Sequence, residues 1–207
     1  MAFEEYDDFE QEQIVKDWIK NNWLTIALGI GLGLGGVFGL NFYKSSQQEK
    51  RYEVANQYKQ FTNVMELSEF DEAKTLIADL EKQNGTNFYT IEARLLLAKE
   101  YVAKNELEKA AAELNSVITA KPDKLLTEFV KLRLARVQNA LSKHDEALAL
   151  VNSVTTESFQ SIAKEIEGDA LVAKGEYEKA QTAFEASIAN GDGYSSKKNI
   201  EMKIENI

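Results

Sequence analysis

The chain has 207 residues, with 34 acidic against 24 basic side chains, a formal net charge of −10 and no cysteine. An acidic chain without a basic field disfavours a nucleic-acid partner, and without cysteine neither a disulfide framework nor a thiolate site can form. Alanine, leucine, glutamate and lysine dominate outside one glycine-rich stretch, and there is a single proline. This composition predicts an all-α fold.

Residues 1–22 form an acidic N-terminal segment with only two bases, Lys16 and Lys20. Its acids are Glu4, Glu5, Asp7, Asp8, Glu10, Glu12 and Asp17. Basic residues stand on both sides of the apolar stretch that follows. The positive-inside rule therefore gives no clear preference for either orientation in a membrane and leans slightly against a cytoplasmic N-terminus.

Residues 23–43 read WLTIALGIGLGLGGVFGLNFY and contain no charge. About 20 apolar residues cross the hydrocarbon core of a bilayer as a helix, and aromatic residues at both ends are typical of the two water interfaces. A cleavable signal peptide would need a basic leader and a small-residue cleavage site, whereas this leader is acidic. The stretch is therefore predicted to be an uncleaved transmembrane helix in contact with membrane lipid.

Six of the eleven glycines lie in this predicted span. Small residues four apart let two membrane helices approach closely, so we expect a lateral contact with another transmembrane helix. The predicted contact residues are Gly29, Gly31, Gly33, Gly35 and Gly39. The alternative is that glycine is simply common in membrane spans, and the spacing does not decide between the two.

Residues 44–68 are predicted to form a helical extension from the span. Val54, Tyr58, Phe61 and Met65 are spaced four, three and four residues apart, which indicates one apolar helical face.

Four similar segments then recur, each ending in alanine. They are EFDEA at 69–73, NELEKA at 105–110, KHDEA at 143–147 and GEYEKA at 175–180, and their final alanines are 37, 37 and 33 residues apart. Regular intervals of this size indicate stacked helix pairs. We expect a tetratricopeptide-like, right-handed array over residues 69–193 and a capping helix over residues 194–207.

The second repeat fits the 34-residue tetratricopeptide frame best. Counting from Ala110, the expected packing positions are Leu97, Ala98, Tyr101, Leu114 and Val117, with Pro122 closing the repeat. Asn105 and Gly175 are expected in turns between paired helices. The cluster Asn190, Gly191, Asp192 and Gly193 is expected to end a helix.

Catalytic chemistry is not expected, nor is a cofactor or metal site. The single histidine, His144, has no second histidine or cysteine with which to form a zinc site, and no nucleophile motif stands out. A protein-binding groove on the first helix of each pair is expected instead. Its predicted residues are Leu95, Lys99, Phe129, Leu132, Arg136, Asn139, Ile162, Glu165 and Asp169. Core packing is an equally good explanation for Leu95, Leu132 and Ile162, so the prediction depends mainly on Lys99, Phe129 and Arg136. An arginine beside apolar surface suits segments that present carboxylates or backbone carbonyls.

Several segments together resemble the YfgM family of ancillary subunits of the bacterial SecYEG translocon. They are ALGIGLGLGGVFG at 27–39, KNELEKAAAEL at 104–114, LRLARVQ at 132–138, GDALVAKGEYEKA at 168–180 and the ending EMKIENI. The resemblance implies a single-pass inner-membrane protein with a cytoplasmic N-terminus and a periplasmic repeat domain.

The same resemblance implies three partners: the SecYEG translocon, a PpiD-type membrane-anchored periplasmic chaperone, and secreted client proteins. The implied role is that of an adaptor or chaperone for proteins emerging into the periplasm. One alternative is a negative regulator that sequesters an envelope-stress signalling protein through the acidic segment. A purely structural scaffold is another.

Overall fold

The computed structural model describes residues 8–191 and 197–207, with side chains from residue 11 onward. These residues form nine α-helices and one 3-10 turn, joined by short connections, and contain no strand. The helices are α1 Asp8–Glu66, α2 Phe70–Asn84, α3 Phe88–Ala103, α4 Leu107–Thr119, α5 Lys124–Ala140, α6 His144–Asn152, α7 Gln160–Ala173, α8 Tyr177–Ala189 and α9 Lys197–Glu205. The 3-10 turn, Glu157–Phe159, precedes α7. The predicted all-α class is confirmed.

Some sequence predictions fall outside the described residues. These are the acids Glu4, Glu5 and Asp7, the second half of the Asn190–Gly193 cluster, and the start of the expected capping helix at residues 194–196. The side chains of Asp8 and Glu10 are likewise outside the described part.

The chain divides into two compact units, residues 1–53 and residues 54–207. In the first unit, α1 is long and apolar enough to cross a membrane, and none of the side chains in its most apolar stretch is buried. Leucine and phenylalanine side chains such as Leu32 and Phe38 point outward without a protein neighbour to cover them. A helix that is apolar all round and uncovered fits the predicted membrane span.

The second unit is an array of helix pairs: α3 packs with α4, α5 with α6, and α7 with α8. Each repeated alanine lies in the first turn or two of a pair's second helix, and all four are fully buried. They are Ala73, Ala110, Ala147 and Ala180, each 0% exposed. A side chain of this size lets the two helices cross closely, which explains why alanine recurs. The tetratricopeptide-like architecture is confirmed.

The first pair differs from the others because its first helix is the end of α1. Phe61 and Met65 are buried in one core cluster with Ala73 and Ile77 of α2. Gln57 also hydrogen-bonds Gln83 of α2 at 2.6 Å. Residues 54–66, within the segment expected as an extension, therefore supply the first helix of the first repeat.

The turns between paired helices share one backbone conformation. Ser68, Asn105, Ser142 and Gly175, each five residues before a repeated alanine, have φ angles of 60°, 58°, 60° and 77°. In each turn the following amide bonds a carbonyl five residues earlier, as from Glu106 N to Tyr101 O at 2.8 Å. This is the left-handed cap that ends many helices, and it fixes the same reversal in every pair.

The core runs along the array as three successive clusters. All five packing residues predicted for the second repeat are buried. At the far end, Ile200 of α9 is buried with Phe184 of α8. Gly168 of α7 lies against the Phe184 ring so closely that a Cβ there would fall 2.6 Å from Cδ1.

Candidate protein-binding surface

Three of the nine predicted groove residues meet in one pocket between α3 and α5. Leu95, Lys99 and Arg136 line it, and its volume is about 250 Å³. We call it the α3–α5 pocket. The other six predicted residues lie elsewhere along the array.

Helical spacing builds the α3 wall of this pocket. Leu95, Ala98, Lys99 and Val102 stand at positions i, i+3, i+4 and i+7 of α3 and so share one face. Leu95 and Ala98 are buried, while Val102 is 44% exposed. Exposure therefore increases along this wall from the buried Leu95 and Ala98 to Val102, and the Lys99 ammonium lies at the rim.

The opposite wall comes from α5, and α4 closes the floor. Arg133, Arg136 and Val137 of α5 share a face, and Leu114 of α4 fills the base. Leu114 and Val137 are buried. The floor is thus apolar and fixed by core packing, while the two arginines stand above it.

The rim of the pocket is positively charged. The side chains of Lys99 and Arg136 are 72% and 49% exposed, and Arg133 is also exposed. No acidic side chain is among the described residues that line the pocket. The nearest carboxylates lie outside it: Glu100, 3.9 Å from Lys99 Nζ, and Glu165, 3.6 Å from Arg136.

Phe129, another predicted groove residue, lies one turn before Arg133 on α5. The Arg133 guanidinium sits over its ring, 4.4 Å from the centroid, and the Phe159 ring is 6.4 Å away. A cation over an aromatic face is held there electrostatically. Phe129 therefore supports a rim residue rather than lining the pocket itself.

Three more of the predicted residues make contacts inside the domain and do not line the pocket. Leu132 and Ile162 are 3% and 5% exposed and belong to the core cluster of the third and fourth pairs. Asn139, near the end of α5, lies 2.5 Å from the imidazole of His144. Their contacts are within the domain.

Glu165 and Asp169 of α7 face the C-terminal helix. Lys203 of α9 donates hydrogen bonds to Glu165 at 2.9 Å and to both Asp169 oxygens at 2.7 and 2.8 Å. Burial raises the pKa of Asp169, although Lys203 opposes that shift. Burial would lower the pKa of Lys203, but its bonds to Asp169 and Glu165 outweigh burial and raise it. The protein's own helix occupies this stretch.

The predicted contact glycines of the span face open space. A Cβ added at Gly29, Gly31, Gly33, Gly35 or Gly39 would meet no atom within 4 Å. Larger residues would fit at these positions in the isolated chain, so packing within this chain does not require glycine there.

Sequence reasoning did not single out Val102, Leu114, Arg133 or Val137 as parts of one site. The spacing contained a usable pattern, because Val102 follows Lys99 by three residues and Arg133 precedes Arg136 by three. The approach of α3, α4 and α5 is what makes those positions one pocket. Among the described residues, no cluster of histidine, aspartate and glutamate suits a metal ion.

Comparisons with known proteins agree with this architecture. The family model for a tetratricopeptide repeat-like domain matches residues 16–207. A Haemophilus influenzae protein named "Ancillary SecYEG translocon subunit" is 33% identical over 207 residues, all of both chains. An Escherichia coli protein of the same name is 31% identical, over 96% of this chain and 95% of its own.

Two solved structures share the fold alone. A MamA double mutant covers 72% of this chain and 93% of its own with a TM-score of 0.51 at 13% identity. MamA from Desulfovibrio magneticus gives a TM-score of 0.50, also at 13% identity, over 96% of that chain.

Proposed function

Because the chain belongs to the tetratricopeptide repeat-like family of ancillary SecYEG translocon subunits, we propose that it is a single-pass inner-membrane subunit of the Sec translocon. Its repeat domain acts as a protein-binding adaptor or chaperone for proteins emerging into the periplasm. The chain aligns with its Haemophilus influenzae relative over the full length of both, so the span and the repeat domain are both part of the likeness.

The observation that carries the binding role is the α3–α5 pocket. It joins a fixed apolar floor, Leu95 and Leu114, to an exposed cationic rim in a chain of net charge −10. An exposed apolar site with convergent polar groups is the usual form of a binding site.

In this proposal the span and the repeat domain bind different partners. The span, with open space beside its glycines, contacts helices of the SecYEG channel, because small residues permit close approach in lipid. The repeat domain binds a PpiD-type membrane-anchored chaperone and secreted clients. The N-terminus is then cytoplasmic and the repeat domain periplasmic, as the family resemblance implies.

Gentle detergent purification of the full-length protein, followed by identification of what co-purifies, tests this function. The parent should carry both translocon subunits and a membrane-anchored chaperone. A variant with Gly31, Gly35 and Gly39 changed to leucine should lose the translocon subunits, because leucine prevents close helix approach. An Arg136→Glu variant should instead lose the chaperone.

A span variant with Ile30→Phe and Leu34→Phe is the control, since it adds apolar bulk at positions that lie off both i,i+4 lines of glycine. It should retain every partner. If the parent carries neither partner while the translocon itself stays intact, the proposed function is wrong. If the control loses the same subunits as the glycine variant, the glycine contact is wrong.

A further inference from the structure

We propose that the α3–α5 pocket recognises an acidic helical segment of a partner protein, one carboxylate of which binds the cationic rim while an aliphatic side chain one turn away fills the floor. This inference rests on the proposed protein-binding function and names the chemistry of the partner at that site.

The dimensions of the pocket set the size of what enters it. At about 250 Å³ it is smaller than the ~300–1,000 Å³ of a typical small-molecule site. Its floor consists of three buried aliphatic side chains, Leu95, Leu114 and Val137. A side chain such as leucine suits this floor, whereas a phosphate or a sugar would lose its hydration there without replacement.

The rim specifies charge. Lys99 comes from α3 and Arg133 and Arg136 come from α5, so cations stand on both sides of the floor. Arginine pairs with carboxylates through two parallel hydrogen bonds, which fixes orientation as well as charge. Phe129 holds the Arg133 guanidinium over its ring, which restricts that side chain before any partner arrives and lowers the entropic cost of binding.

The C-terminal end of the array provides a template for this mode of binding. There α9 packs on α8, with Ile200 1% exposed beside Phe184, and Lys203, three residues later, bonds Glu165 and Asp169 of α7. One charged and one aliphatic side chain, about a helical turn apart, thus hold a helix on the last pair of the array. The α3–α5 pocket offers the same arrangement with the charges inverted.

Fluorescence anisotropy with the full-length protein in nanodiscs of neutral phosphatidylcholine tests the proposal. The probe is a short fluorescein-labelled helical peptide of leucine, alanine and glutamate. Matched peptides carry glutamine or lysine in place of every glutamate. The glutamate peptide should bind about tenfold more tightly than the glutamine peptide, and its affinity should fall as salt rises.

Charge reversal distinguishes the pocket from the rest of the surface. Arg133→Glu should weaken the binding of the glutamate peptide about tenfold and should strengthen the binding of the lysine peptide. A misfolded variant would not gain affinity for the lysine peptide. Lys74→Glu, at an exposed position on α2, is the matched control and should bind as the parent does. Circular dichroism should show equal helix content in all three proteins.

Equal binding of glutamate and glutamine peptides would overturn the proposal, as would an Arg133→Glu variant indistinguishable from the parent. Displacement of the peptide by vesicles of anionic phosphatidylglycerol, but not of phosphatidylcholine, would assign the rim to lipid headgroups and also overturn it. Co-purification of translocon subunits with the parent protein is a separate experiment that tests the proposed function. If the subunits co-purify but the glutamate peptide does not bind preferentially, the proposed function stands and only the inferred chemistry of the partner is wrong.

Discussion

The surface carried by the first helices of the pairs differs between its middle and its C-terminal end. Between α3 and α5 it is an open pocket with an apolar floor and a cationic rim. Between α7 and α9 the corresponding stretch carries two carboxylates, and Lys203 already occupies them. The surface between α3 and α5 is thus open to a partner, although Arg136 lies 3.6 Å from Glu165, whereas the carboxylates beside α9 are already paired with Lys203.

The difference follows from the positions of charge and small residues. At the α7–α8 pair, Gly168 lets the Phe184 ring come close, and Phe184 in turn packs with Ile200 of α9. At α3 and α5, the equivalent exposed positions carry Lys99 and Arg136, and no further helix covers them within the described chain. The same architecture therefore serves stability beside α9 and, in our proposal, recognition between α3 and α5.

Gly168→Leu should break the covered end. The leucine side chain would enter the space of the Phe184 ring, and we expect a loss of about 3 kcal/mol in the free energy of unfolding. Thermal and denaturant unfolding, followed by circular dichroism of the full-length protein, measures it. Gly35→Leu in the span is the control and should leave the repeat domain's transition unchanged. Equal stability of Gly168→Leu and the parent would show that the ring moves aside freely.

Glu128→Gln tests the contact between α5 and the loop that precedes α7. Buried Glu128 of α5 accepts hydrogen bonds from the Thr156 amide at 2.9 Å and Thr155 Oγ1 at 3.0 Å, which holds the loop before α7. Replacing the charged acceptor should cost about 1–3 kcal/mol. Glu157→Gln, in the exposed 3-10 turn, is the control and should cost much less.

The pH dependence of stability provides a second readout at Glu128. Burial would raise its pKa, but the hydrogen bonds from Thr156 and Thr155 outweigh burial and hold it at about 2, against 4.5 for a free side chain. Because the folded pKa is the lower one, the stabilisation is present above pH 4.5 and is lost as pH falls towards 2. The parent should lose more stability over that range than Glu128→Gln does. Parallel acid-unfolding curves would contradict this.

Lys203→Met should open the covered end without unfolding it. The change keeps the aliphatic stem but removes the charge that pairs with Glu165 and Asp169. Because Lys203 is about one-third exposed, we expect a cost of only about 1 kcal/mol. Hydrogen exchange should become faster in α9 and stay unchanged in α3 and α5. Lys197→Met removes an exposed i,i+4 pair and should have no measurable effect.

Ser142→Gly gives the smallest expected effect and compares the turns of the third and fourth pairs. Ser142 has φ 60°, whereas the last pair has Gly175 at φ 77° in the same turn. Glycine adopts this conformation without strain but loses more entropy on folding, so the net gain should be about 0.5 kcal/mol. Gly175→Ser should have the opposite sign. A shift of the same sign in both variants would contradict the common turn geometry.

Much of the fold could be predicted because the repeats leave local patterns. The regular intervals between the four alanines indicated stacked helix pairs, and all four alanines are buried. The uncharged stretch indicated the span from length and composition alone. The role of residues 54–66 was less visible, since a helix that continues from the span has no capping signal to mark where the first repeat begins.

The candidate site could be predicted only in part. Helical spacing selects a face of α3 or α5, but the neighbouring pair decides how much of that face is covered. Leu132 and Ile162 satisfy the frame and lie in the core, while Arg133, adjacent to Leu132, stands at the rim. Lys203 is 34 residues from Asp169 in sequence, and no local pattern links the two.

Site-specific photo-crosslinking in native membranes tests most directly whether the α3–α5 pocket is the surface that recognises partners. A photoreactive amino acid replaces Val102 in the α3–α5 pocket or, as the control, exposed Lys74 on α2. Position 102 should crosslink to a membrane-anchored chaperone identified by mass spectrometry. Arg133→Glu should abolish that product, and position 74 should not give it. The same products from both positions, or none from 102 while translocon subunits still co-purify, would contradict partner binding at this pocket.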